Sequence, residues 1–119
     1  MRADHETHGR LVITRNAGEV IVVGVPAEIV IQVRAVTDAA VTVRAIHVGD
    51  QSRVDLRMGL GVEGHVSDDV TLVSLHRYQS SPAARLCVIA PRGVPVNRFE
   101  VYQRIAAGEP RPARIAVTA

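Results

Sequence analysis

The sequence contains no lysine and no tryptophan, and only 3% of its residues are aromatic. A core without aromatic mass must be built from Val, Ile, Leu and Ala, and a Val/Ile-rich composition favours strands over helices. Burial per residue is then modest for a chain of 119 residues, so its strands must be widely paired or shared. Cys87 is the only cysteine, which excludes an internal disulfide and fits a reducing compartment. It sits in the run Leu86-Cys87-Val88-Ile89 and reads as a small buried hydrophobe rather than a nucleophile. No apolar run approaches the length of a membrane span, and residues 1–8 are polar with no signal-like segment. The expectation is a soluble, cytoplasmic protein without membrane contact.

Catalytic constellations are also missing. Asp50 and Asp55, and Asp68 and Asp69, are carboxylate pairs in turns and strand ends with no nucleophile near them in sequence. His5 and His8 lie in a polar terminus, and His47, His65 and His76 have no partners at metal-ligand spacing. The chain is therefore expected to be no enzyme and to hold no metal or cofactor. All 14 basic residues are arginine, and the formal net charge is +2. A GC-rich coding sequence would give that bias. The same planar guanidinium also suits phosphates and base edges.

Apolar runs broken by turn residues give the expected order. Strands are predicted at Leu11–Arg15, Val20–Val23, Glu28–Val36, Val41–Val48 and Arg53–Arg57. Asn16-Ala17-Gly18-Glu19 reads as a turn that joins the first two into a hairpin. Residues 58–67 are glycine-rich and only weakly strand-like. Further strands are expected from Asp69 to Tyr78 and from Arg85 to Ala90, with Arg114–Val117 as a possible edge strand. Residues 1–9 and 108–119 read as flexible tails around a single mainly β domain, residues 10–107.

The most informative stretch is Val94-Pro95-Val96-Asn97-Arg98-Phe99-Glu100-Val101-Tyr102-Gln103-Arg104-Ile105. It reads as a short strand running into one helix, about residues 97–107. Asn97 and Glu100 have the spacing of a capping box. Phe99, Tyr102, Ile105 and Ala106 form an apolar side, and Gly108 and Pro110 stop the helix. Features also recur 41 residues apart, Glu28 with Asp69, Arg44 with Arg85 and Arg57 with Arg98, which is the trace a tandem duplication leaves.

Three segments resemble the carbon storage regulator (CsrA/RsmA) family of RNA-binding translational regulators. Leu11-Val12-Ile13-Thr14-Arg15, followed by Gly18-Glu19, resembles its first strand and Gly-Glu turn. Arg85 to Pro91 resembles its fourth strand and Ala-Pro turn. Val94 to Ile105 resembles its fifth strand and helix start. The resemblance implies intertwined antiparallel sheets and recognition of GGA-containing loops in messenger leaders or small RNAs. Carried over by position, the RNA edge is Ile13, Thr14 and Arg15 with Pro91, Arg92, Val94, Val96, Asn97 and Arg98. Arg15 and Arg98 would contact phosphate or guanine. Asn16 stands where a second arginine is usual, and Asn97 where a histidine is common.

The chain is about twice the usual length of that family. Either residues 25–67 are an insertion into a protomer of a strand-exchanged homodimer, or repeats 10–57 and 58–107 form a single-chain pseudo-dimer. In the second case Arg57 would end the fifth strand of the first repeat, and residues 58–67 would be the worn start of the second. One composite site would then join the two ends of the chain. The rival reading is a degenerate regulator that works as a protein-interaction module, through a heterodimer or an antagonist, without touching RNA.

Overall fold

The computed structural model describes residues 8–75 and 83–108, and the fold is mainly β, two antiparallel sheets and one short helix. The strands are β1 (His8–Arg15), β2 (Val20–Val23), β3 (Ile29–Val36), β4 (Val41–His47), β5 (Arg53–Met58), β6 (Glu63–His65), β7 (Thr71–Leu75), β8 (Ala84–Pro91) and β9 (Val96–Arg98), followed by α1 (Phe99–Ala106). One sheet has the order β1-β8-β7-β6 and the other β5-β4-β3-β2-β9. The expected helix is present with slightly narrower bounds. The Arg114–Val117 strand, His76 and the end of the Asp69–Tyr78 strand lie outside the described residues.

Alternation decides which side chains make the core. Val41, Val43 and Ala45 on β4 and Ile29, Ile31 and Val33 on β3 point inward, and they meet Leu72 on β7 and Leu86 and Val88 on β8. Branched aliphatic residues fill this interlayer as the composition requires, with Met58 as the one long unbranched side chain.

The expected β1–β2 hairpin does not form. β1 pairs with β8, whereas β2 pairs with β3 and β9. The intervening turn carries the chain from one sheet to the other. Gly18, at φ +91°, donates to the Val33 carbonyl and Glu19 donates to that of Asn16. Turn residues specify a local reversal, not which strands pair across it. Residues 8 and 9, expected in the tail, open β1.

The two sheets repeat each other in register. A shift of 43 residues carries the Ile13↔Leu86 pair onto Leu56↔Val43, with the order of halves exchanged, and Arg15↔Ala84 onto Met58↔Val41. The bond from Gly18 to Val33 recurs from Gly61 to Ser74. Thus β1–β4 match β5–β8. The spacing of 41 holds for the third strands alone, where Val33 answers to Ser74; in the fourth strands Arg44 answers to Cys87, not Arg85. Arg57 lies on the counterpart of β1, so it does not correspond to Arg98. The boundary between the matched halves is the turn at residues 48–52, ahead of the expected one, and the first half has no counterpart of β9 and α1.

Each sheet therefore contains strands from both halves. Ile21→Ala, which empties a fully buried site on β2, is expected to cost about 2–5 kcal/mol. Chemical denaturation followed by circular dichroism should show a single transition in both proteins, because neither half closes its own sheet.

Candidate nucleic-acid interface

β1 and β9 are edge strands of different sheets, and they flank one cleft with their starts facing each other across it. Gly9, Arg10 and Leu11 at the start of β1 face Val94, Pro95 and Val96, and Arg15 at its end meets Glu100 in the first turn of α1. Among the described residues each has a ladder on one side only, β1 with β8 and β9 with β2. Their facing edges so present alternate backbone N–H and C=O groups. Between them is a cleft of about 300 Å³, with Val88 and Ala90 beneath it and Pro91, Arg92 and Gly93 closing one end.

An ion pair between a buried guanidinium and an exposed carboxylate fixes this arrangement. The Arg15 side chain is 5% exposed. Its Nη1 donates to Glu100 Oε1 at 3.1 Å and to the Val20 carbonyl at 3.1 Å, and its Nη2 donates to Glu100 Oε2 at 2.9 Å. Glu19 Oε1 lies 3.5 Å from Nε. A planar fork answered by a carboxylate and a carbonyl offsets much of the cost of burying the charge. The hydrogen bonds from Arg15 hold the Glu100 carboxyl below its ordinary value of 4.5, with the guanidinium charge and, more weakly, that of Arg98 in the same direction.

The expected site residues divide. Pro91, Arg92, Val94 and Val96 line the cleft, and Arg98 is exposed beside it. Thr14 is exposed, whereas Ile13 points into the core. Arg15 is brought to the site, but its guanidinium is committed to Glu100 and cannot also display itself to a ligand. The strand period explains both: Leu11, Ile13 and Arg15 share the inward face of β1. The expected capping box is absent too. Arg98 is the N-cap residue and makes no side-chain cap bond. Asn97 belongs to β9, opposite Val22, and turns to the face away from the core, where it is buried with Nδ2 unpartnered among the described residues. The carboxylate that would have completed the box is held by Arg15.

Sequence reasoning missed Gly9, Arg10 and Glu100. The β1 alternation, which puts an arginine in line with Leu11 and Ile13, was the available signal for a buried partner. Tyr102 packs rather than offering its ring: half-buried, its hydroxyl accepts from the Ala27 amide at 3.1 Å. His47 joins β4 to the β6–β7 turn through Nε2 and the Val66 carbonyl at 2.9 Å, a structural tie.

The corresponding corner of the other half is built differently. Met58 and Val62 replace Arg15 and Glu19, and among the described residues no strand follows β6 as β9 follows β2. Gly64 packs so close to β5 that a Cβ there would lie 2.8 Å from Met58 Sδ. No family model, no curated protein and no solved structure matches the chain.

The ion pair has a pH signature. Because the folded Glu100 pKa is depressed, its stabilisation is complete above the unfolded value of 4.5 and is lost as pH falls through the lower folded value. Glu100→Gln should cost about 1–2 kcal/mol at pH 7, since Glu100 is 58% exposed and partly screened. In urea titrations the difference between variant and parent should vanish as the pH is lowered through that window.

Proposed function

We propose that the chain is an RNA-binding post-transcriptional regulator that takes a GGA-containing loop of a messenger leader or small RNA in the β1–β9 cleft. One observation carries the reading. The two segments that most resemble a carbon storage regulator, Leu11–Arg15 and Val94–Ile105, lie at opposite ends of the sequence and are brought together as facing sheet edges latched by Arg15 and Glu100.

The chemistry suits single-stranded RNA. Bases splayed from a loop can pair their edges with the backbone groups of β1 and β9, and strand edges discriminate through fixed donors and acceptors. Arg10, Arg92 and Arg98, all exposed, give the cleft a cationic rim for phosphate or guanine. Arg15 acts one step back: it positions the two edges, and Arg98 takes the direct contact. In this reading the chain is a tandem-fused pseudo-dimer with one competent site, because among the described residues β5 and β6 lack the strand and helix that complete the other corner. Regulation would follow from occlusion, since a leader held along the cleft is withheld from other partners.

Arg98→Ala should weaken binding to a GGA hairpin by about tenfold or more, with the circular dichroism spectrum and denaturation midpoint unchanged. Fluorescence anisotropy against the same hairpin with GGA replaced gives the control. An unchanged affinity on the GGA hairpin would remove Arg98 from the site and leave the protein-interaction reading.

A further inference from the structure

The outer face of the β5-β4-β3 end of the second sheet carries four arginines around one carboxylate. Arg53 and Arg57 point outward from β5, Arg44 from β4 and Arg34 from β3. Asp55 lies among them: Arg44 Nε donates to Asp55 Oδ1 at 2.8 Å, and Arg34 and Arg53 are close enough to influence the same carboxyl. Arg34 stands at the irregularity between Val33 and Ala35, where the β3–β4 register shifts, and its Nη1 donates to Gln32 Oε1 at 3.0 Å. Asp55 can neutralise only one of these cations.

We infer that this face is a second, sequence-independent binding surface for the phosphate backbone of single-stranded RNA. Three observations favour RNA over an acidic protein. The cations are all guanidinium groups, whose planar forks match phosphate oxygens. They are spread over three adjacent strands of an open sheet face, as a polymer track requires. Among the described residues the face has no aromatic anchor, and its exposed large hydrophobics, Ile46 at 39% and Val48 at 44%, sit at one end beside Arg53 and not at its centre, so it lacks the apolar centre of a protein interface.

The surface belongs to the same sheet as β9, and strands about 4.8 Å apart place it roughly 10–20 Å from the cleft. RNA flanking a loop held by β1 and β9 can therefore continue onto it. This continuity rests on the proposed function; the charge distribution does not.

The test uses the full chain and a U-tract oligonucleotide without GGA, titrated over a range of salt concentrations. Arg34→Gln, Arg53→Gln and Arg57→Gln together should lower the slope of log affinity against log salt by about 2, since each phosphate contact in a single strand contributes roughly 0.7. Arg44 is left with Asp55 to spare the fold, and the single variants Arg53→Gln and Arg57→Gln, each lowering the slope by roughly 0.7, serve if the triple variant does not fold. The preference of the chain for a GGA hairpin over its scrambled form should be retained. An unchanged slope on the U-tract would overturn the assignment, whatever the hairpin does. A reduced slope with no hairpin preference in the parent chain would keep this surface and remove the cleft reading instead.

Discussion

Neither half of this chain can complete a sheet alone, and the rest of the structure depends on that constraint. Among the described residues, β1 has its only ladder on β8, and β9 has its only ladder on β2. The two ends of the sequence are thereby carried to opposite sheets and meet at one corner. Arg15 and Glu100 lock the corner with a pair separated by 85 positions. A small aliphatic core with few aromatics gains from this exchange, because strand sharing buries β2, β3, β4 and β8 on the interlayer while the ion pair closes a seam that apolar packing leaves open.

The same exchange accounts for the asymmetry of the molecule. The matched registers of the two halves would provide two equivalent corners, but among the described residues only one has the fifth strand and the helix. At the other corner, Met58 takes the place of Arg15, and Gly64 allows β6 to close against β5. Where one corner has an ionic latch and an open cleft, the other has an apolar seam. Arg34, Arg44, Arg53 and Arg57 are displayed on the outer face of β3, β4 and β5, at the other end of the sheet from β9.

Much of the architecture was legible in the sequence. β2, β3 and β4 were located closely because Val/Ile runs between Gly, Asp and Pro leave few alternatives. Pairing was less legible. The Asn16–Glu19 turn has the composition of a hairpin, yet the partner that Gly18 and Glu19 find is β3, a choice made by the core and not by the turn. A repeat is visible in the sequence but its phase is not, since arginines on solvent faces are poor landmarks and core-facing positions such as Ile13 and Leu56 are good ones. At the site, the spacing of Asn97 and Glu100 predicts a helix cap, but the strand continues through Asn97 and alternation buries its side chain. The family resemblance alone makes Arg15 a ligand contact, and position in a motif does not say which way a side chain points. The inward position of Arg15 follows from Leu11 and Ile13, whereas the identity of its partner, Glu100, required the fold.

The central claim is that one chain, by itself, assembles one RNA site from its two ends. Multi-angle light scattering during titration with a GGA hairpin tests it most directly. The account gives a free mass of about 12.8 kDa and, at saturation, a complex of one chain with one hairpin. A complex of two chains with two hairpins, or two hairpins on one chain, would contradict it.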